Sequence, residues 1–120
     1  MIMAVESQTS VFADWHDICG SEDITLGTGM AARLFGRQLA IFHTKEGYFA
    51  LGNCDPFSGA NVLARGIVGD LAGKLVVASP VYKQHFCLRT GICLEDMTVT
   101  VPVWRVVLRN GRVLVSEGER

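Results

Sequence analysis

The chain has 120 residues, of which 49% are hydrophobic and 19% are charged, and a formal net charge of -1 at pH 7. This size and balance predict a single compact domain, and the near-neutral charge without a Lys/Arg run argues against nucleic acid as a partner. No run approaches the ~20 apolar residues that a membrane-spanning helix needs, so we expect no membrane partner.

Residues 1–13 lack the basic start and apolar centre of a signal peptide. We therefore expect a flexible N-terminal leader over 1–13, one domain over 14–116 and a short tail over 117–120. A cytoplasmic location follows by default.

Short apolar runs separated by glycine turns follow, a pattern typical of an all-β barrel or sandwich. A first strand is predicted from Trp15 to Cys19, and the runs 30–35, 38–43 and 48–51 are predicted to form an antiparallel meander. The glycines between these runs supply the positive φ that hairpin turns need.

The second half of the chain continues in the same way. We expect one helical turn over 61–65, a strand over 75–78 and a hairpin over 86–94. The clearest hairpin joins 103–108 to 112–115 through Asn-Gly, the sequence favoured in a type I′ turn. About eight to ten strands are expected.

Four cysteines, Cys19, Cys54, Cys87 and Cys93, are too few and too scattered for a disulfide scaffold. Cys87 and Cys93 flank a predicted turn, but neither has an evident cationic neighbour in sequence that would activate a thiol. We expect thiols facing the core in a reducing compartment.

Two loops, 52–58 and 78–86, follow the layout of a Rieske centre, in which C-x-H and C-x-x-H motifs supply two thiolates and two imidazoles to a [2Fe–2S] cluster. The four corresponding positions hold Cys54, Pro56, Ser79 and Tyr82. Of the four ligands, only the first thiolate, at Cys54, remains. Proline cannot bind metal.

Substitute ligands are available nearby in Asp55, His85 and Cys87. They would need a different loop path and new supporting hydrogen bonds, so we expect no cluster. In that case Cys54 is expected to fill the space between the loops, and His85 to be a hydrogen-bonded strand residue.

The chain resembles the small subunit of assimilatory NAD(P)H-dependent nitrite reductase, a Rieske-like family, from about residue 15 to 115. The segments that carry the resemblance are 53–58 (Asn-Cys-Asp-Pro-Phe-Ser), 63–70, 78–86 (Ala-Ser-Pro-Val-Tyr-Lys-Gln-His-Phe), 93–96 and 101–103. The resemblance implies a Rieske-like antiparallel β-sandwich or barrel with two loops at one tip. It also implies a cofactor-free chain whose partner is a large subunit with sirohaem, [4Fe–4S], FAD and NAD(P)H sites, which reduces nitrite to ammonium.

The tip of such a fold would carry Asp55 and the loop residues around it on its surface. The candidate partner-binding residues are Phe57, Tyr82, Lys83, Gln84 and Arg65. We expect Phe57 and Tyr82 to pack the loops together, with Pro56 and Tyr82 filling the place of the cluster, while Lys83 and Gln84 face outward.

We also predict the contacts of four other polar residues. Arg65 either pairs with Asp70 or meets the partner, and Glu95 and Asp96 form a solvated turn.

Three functions remain open from the sequence. The favoured one is a non-catalytic subunit that supports assembly or electron transfer in the nitrite reductase complex. The second is a [2Fe–2S] electron carrier with non-standard ligands, and the third is a Rieske-like module of another oxidoreductase, such as a ring-hydroxylating system. An independent active site is not expected, because Ser58, Ser79 and His85 form no recognisable triad.

Overall fold

A computed structural model of the chain describes residues 15–119, and the side chain of residue 119 is outside the description. The predicted leader over 1–13 therefore lies outside the described residues. Within them the all-β prediction is confirmed. The strands are β1 (Trp15–Gly20), β2 (Gly29–Leu34), β3 (Arg37–Thr44), β4 (Gly47–Gly52), β5 (Ile67–Leu71), β6 (Lys74–Ala78), β7 (His85–Cys87), β8 (Val103–Arg109) and β9 (Arg112–Glu119).

Two antiparallel sheets make up the domain. The larger has the strand order β1-β9-β8-β4-β3-β2, and the smaller has the order β5-β6-β7. Single-turn 3₁₀ helices occupy Ser21–Asp23 and Leu63–Arg65, the second inside the predicted helical turn. No helix in the described part of the chain is long and apolar enough to span a membrane.

Strand β3 lies at the centre of the core, because it is buried on both faces. Leu39 and Ile41 enter one apolar cluster with Trp104, while Ala40 and Phe42 enter the other. The second cluster extends to the small sheet, where Val77 and Phe86 are among its members. An uninterrupted apolar run without polar alternation is what a strand covered on both sides requires.

The turn chemistry read from the sequence is confirmed at the last hairpin. Asn110 and Gly111 have φ values of 52° and 76°, as a type I′ turn demands. Ala72 and Gly73, with φ values of 54° and 80°, close the β5–β6 hairpin in the same way. The alanine there occupies a left-handed conformation that glycine or asparagine would adopt at lower cost.

Two boundaries differ from the sequence prediction. The predicted hairpin over 86–94 has only one regular strand, β7, and its return arm is held by an isolated bridge between Phe86 and Cys93. Strand β9 runs on to Glu119, beyond residue 115, where the last predicted run ends. This extension pairs Glu119 with Trp104 of β8 after a register shift.

The fold brings two connections together at one end. The first loop, residues 53–66, follows β4, and the second loop, residues 79–84, joins β6 to β7. We call these two loops the tip, and their mutual contacts define the candidate site.

Candidate functional site

A buried hydrogen bond joins the two loops of the tip. Asp55 in the first loop and Ser79 in the second are both fully buried, at 0% exposure. The Ser79 hydroxyl donates to Oδ2 of Asp55 at 2.5 Å, and the N–H of Phe57 donates to Oδ1 at 2.8 Å. Both carboxylate oxygens therefore have a donor, as a buried carboxylate requires.

The first loop is tied to the large sheet through Asn53, which is 2% exposed. Its side-chain oxygen accepts the N–H of Ala64 at 2.8 Å, and its side-chain amide donates to Gln38 of β3 at 3.1 Å. Within the loop, the N–H of Asp55 donates to the carbonyl of Ala60 at 2.8 Å. These bonds fix the position of the Asp55 carboxylate relative to the large sheet.

The second loop is closed at its base by a hydrogen bond from the N–H of Ser79 to the carbonyl of Gln84 at 2.9 Å. Lys83 lies in the left-handed region with φ of 69°, which costs a side chain other than glycine about 1–2 kcal/mol. Its N–H donates to the carbonyl of Ser79 at 3.1 Å. The loop thus holds an exposed lysine in a strained backbone conformation, as is found at functional sites.

Three expectations for the positions aligned with cluster ligands are wrong. Cys54 does not fill the space between the loops but is exposed. Pro56 is exposed as well, and Tyr82 is 60% exposed. The physical reason is that the Asp55–Ser79 bond already closes the gap between the loops, so no bulky side chain is needed there.

The same bond corrects the expectation for Asp55, which was placed on the surface of the tip and is fully buried. Phe57 does pack inward as expected, against the core, with its ring centroid 6.2 Å from that of Phe86. Lys83 and Arg65 are exposed, whereas Gln84 is half-buried and its Oε1 atom is buried without a hydrogen-bond partner.

Asp70 plays a local role in place of the expected contact with Arg65. Its carboxylate accepts the N–H of Gly73 at 3.2 Å in the β5–β6 turn, and no ion pair joins it to Arg65 among the described residues. Arg65 is exposed.

A second polar link braces the base of the second loop. Glu95 accepts the backbone N–H of His85 at 2.7 Å and lies 2.6 Å from the ring Nδ1 of the same residue. His85 is thus a hydrogen-bonded strand residue, as predicted, but Glu95 is not merely solvated. Partial burial raises the pKa of Glu95, and the hydrogen bonds from His85 outweigh that effect and hold it below the usual range.

The described thiols are free, and Cys87 and Cys93 face the core as expected. The environment of Cys87 nevertheless differs from the sequence expectation. Burial raises the pKa of this thiol, but hydrogen bonds from Thr90 and from the backbone, together with the Lys74 charge, lower it overall. The cationic neighbour lies on β6, next to β7 in the sheet, so sequence proximity gave no sign of it.

Comparison with known proteins identifies the family. The model of the Rieske-like [2Fe-2S] domain family matches residues 14–116. The small subunit of NADH nitrite reductase from Salmonella typhimurium is 41% identical over 103 residues, which are 84% of this chain and 95% of that protein. The chain belongs to the Rieske-like nitrite reductase small-subunit family.

Two further similarities extend this result. The solution structure of the Escherichia coli protein NirD superposes with a TM-score of 0.82 at 38% identity, covering 89% of this chain and 99% of that one. The large subunit of NAD(P)H nitrite reductase from Klebsiella oxytoca contains a segment 42% identical over 102 residues, covering 85% of this chain and 11% of that protein. In that relative, the domain is part of the large-subunit polypeptide.

The family description names a [2Fe–2S] cluster, and the donor set at the tip does not fit one. Rieske coordination needs two thiolates and two imidazoles, whereas the tip offers Cys54 with a proline, a serine and a tyrosine. No group of three or more His, Cys, Asp or Glu side chains in the described part of the chain is arranged to hold a metal ion. The substitute ligand Asp55 is occupied by Ser79 and Phe57, and His85 is engaged by Glu95.

Sequence reasoning missed two residues that organise the site, Asp55 as an inter-loop acceptor and Glu95 as a brace. The available signal was the presence of Asp and Ser in two loops already expected to meet. That signal does not tell whether the side chains face each other or the solvent, because both loops reverse direction within a few residues.

Proposed function

We propose that this chain is a cofactor-free subunit of a cytoplasmic nitrite reductase complex, and that its tip docks on the large subunit. In this role it supports assembly of, or electron transfer within, the enzyme that reduces nitrite to ammonium. The proposal takes its partner from the relatives, which are nitrite reductase small subunits and, in one case, a large subunit containing a matching segment. The free thiols are consistent with a reducing compartment.

The observation that carries the proposal is the Asp55–Ser79 hydrogen bond at 2.5 Å. It joins Ser79, which occupies the thiolate position of the second loop in the Rieske layout, to Asp55, which lies between the two ligand positions of the first loop. A preformed, rigid tip loses little conformational entropy when it binds. The tip thereby keeps a defined shape suited to recognition.

The exposed chemistry of the tip favours an acidic partner surface. Asp55 is withdrawn into the interior, so the exposed charges of the two loops are Arg65 and Lys83, both positive. Tyr82 is 60% exposed next to Lys83. Tyrosine and arginine are enriched at binding hot spots, which favours Tyr82 and Arg65 as contacts, and the positive charges of Arg65 and Lys83 would steer the tip to carboxylates.

Binding to the purified large subunit of the same organism tests this role. We expect Lys83→Glu and Tyr82→Ala each to weaken binding about tenfold or more, which corresponds to ~1.4 kcal/mol, as measured by calorimetry. Lys83→Glu should also remove most of the salt dependence of association, because with Arg65 unchanged it brings the summed exposed charge of the tip from +2 to 0.

Arg109→Glu is the matched control, since it makes the same charge reversal on an exposed residue at the far end of β8. Val103, at the near end of β8, pairs with Leu51 beside the first loop, and six strand residues place Arg109 roughly 20 Å further away. Equal loss of affinity in the control and the tip variants would refute docking through the tip. So would unchanged binding and unchanged nitrite reduction in a complex carrying both tip substitutions.

The cofactor-free state has its own test. Anaerobically purified protein should be colourless, with neither iron nor acid-labile sulfide. A red-brown protein with iron and sulfide in equal amounts would instead support the [2Fe–2S] carrier, and Cys54→Ser would then be the first variant to examine.

A further inference from the structure

Strand β5 is an open edge of the small sheet. Its neighbour in the sheet is β6, and no backbone hydrogen bond leaves its outer side among the described residues. The opposite edge, β7, is covered, because Cys87 donates its N–H to Ile92 and His85 accepts the N–H of Leu94. Open edges are sites at which another strand can pair.

The hairpin geometry shows which backbone groups are available. A two-residue type I′ turn closes on a hydrogen-bonded pair, here Leu71 with Lys74. Hydrogen-bonded pairs alternate along an antiparallel ladder, so Ile67, Gly69 and Leu71 bond to β6. The N–H and C=O groups of Val68 and Asp70 therefore point outward.

The side chains of β5 do not protect this edge. Ile67 and Leu71 lie on one face of the strand and are 77% and 39% exposed. The strand has no proline, lysine or arginine, the residues that usually blunt an edge. Its one charge, Asp70, accepts a hydrogen bond from Gly73 in the adjoining turn. By contrast, edge strand β2 carries the exposed Arg33.

We propose that β5 pairs antiparallel with β5 of a second copy of this chain, about a two-fold axis at Gly69. Val68 of one copy and Asp70 of the other then form a hydrogen-bonded pair, and symmetry repeats that pair. In this register, the outward N–H and C=O groups of Val68 and Asp70 in both copies all form hydrogen bonds across the interface. The pairing unites the two small sheets into one of six strands.

The side chains match in the same register, which is why a second copy is the occupant. Ile67 of one copy lies opposite Leu71 of the other in a non-hydrogen-bonded pair, where side chains approach most closely. Leu71 also lines an apolar cavity of about 460 Å³, together with the exposed Met97. The exposed Ile67 of each copy therefore lies against the apolar surface around Leu71 of the other copy. An isologous interface requires this kind of reciprocal contact.

Gly69 suits the position on the axis. A Cβ atom placed there meets nothing within 4 Å inside the chain, so a cysteine introduced at this position fits without disturbing the strand. The paired segments are only five residues long, which makes the interface small. We therefore expect a reversible dimer whose population rises with concentration.

A site-specific disulfide tests the register on the full chain without the large subunit. In a Cys54→Ser background, which removes the exposed native thiol, Gly69→Cys places two sulfurs across the axis. The Cα atoms of a non-hydrogen-bonded pair are about 4.5 Å apart, within the range that a disulfide spans. With oxidised glutathione, we expect a covalent dimer to form at least tenfold faster than in the control.

Ile67→Cys in the same background is the matched control. Ile67 is 77% exposed, so a cysteine there is accessible to oxidant. In the proposed register, however, residue 67 of one copy is offset from residue 67 of the other by four residues along the strand, roughly 13 Å. Equal rates for the two variants would mean random collision and would overturn the proposal.

Sedimentation velocity over a hundredfold concentration range supplies a second measurement. We expect the wild-type sedimentation coefficient to rise with concentration, Ile67→Lys to remain monomeric, and Leu108→Lys, which changes an apolar residue 52% exposed on β8, to behave as the wild type. A wild type that stays monomeric throughout would overturn the proposal, as would an Ile67→Lys variant that dimerises like the wild type. Neither result bears on docking through the tip, which is measured with the large subunit present.

Discussion

Removing the Ser79 hydroxyl should destabilise the domain strongly, although it deletes one atom. In Ser79→Ala, Oδ2 of the fully buried Asp55 loses its donor, while Oδ1 keeps the Phe57 N–H at 2.8 Å. Hydrogen bonds to charged groups contribute about 1.5–3 kcal/mol, and an unsatisfied buried acceptor is at the upper end. Val81, whose N–H donates weakly to the same hydroxyl, is exposed and can bond to water instead.

We therefore expect a loss of about 2–3 kcal/mol in the free energy of unfolding. For a domain of this size, that is a fall in Tm of roughly 8–12 °C. Urea unfolding followed by tryptophan fluorescence measures the free energy, and calorimetry measures the Tm. Ser58→Ala is the matched control, because its half-buried hydroxyl only accepts the N–H of Ala60 at 3.2 Å; it should cost less than about 1 kcal/mol.

A double-mutant cycle with Asp55→Ala isolates the pair. If the hydrogen bond holds the loops together, the coupling energy between Asp55 and Ser79 should exceed ~1 kcal/mol. The variant Ser79→Ala should also bind the large subunit more weakly at temperatures where it is folded. A coupling energy near zero, or equal effects of Ser79→Ala and Ser58→Ala, would refute the assigned role.

Two further predictions concern Gly91, in the segment after β7, and Glu95, which braces the base of the second loop. Gly91→Ala should cost about 1–2 kcal/mol for its φ of 77°, and ~1–3 kcal/mol more because the added Cβ would lie 2.1 Å from the Val101 carbonyl oxygen. Gly69→Ala, with open space around its Cβ, should cost under about 1 kcal/mol. If urea unfolding shows the same loss of unfolding free energy for Gly91→Ala and Gly69→Ala, the steric argument for Gly91 is wrong. Because the folded-state pKa of Glu95 is lowered by His85, its contribution is present above the unfolded value of about 4.3 and is lost as the pH falls through the folded value. Glu95→Gln should therefore reduce Tm at pH 7 and lose this difference at low pH, whereas a pH-independent difference would exclude the Glu95 carboxylate charge as its cause.

The sequence predicted local structure correctly where a residue type strongly favours one backbone conformation. Asn110 and Gly111 predicted a type I′ turn and have the required positive φ values. The apolar run over 38–43 predicted a strand of an antiparallel meander, and β3 forms there; that its residues enter both apolar clusters is seen only in the structure. The return arm after Cys87 was over-predicted as a strand, because apolar residues there are buried in an irregular segment.

The sequence by itself determined the all-β class, the hairpins, the two loops and the loss of Rieske ligand types, since these depend on residue identity and short-range spacing. Only the tertiary structure decided that Asp55 is buried against Ser79, that Tyr82 faces solvent and that Lys74 lies close enough to act on Cys87. These facts depend on the approach of segments far apart in the chain. A side chain in a reversing loop can face either way, and what decides is whether the fold offers a buried partner of matching hydrogen-bonding capacity.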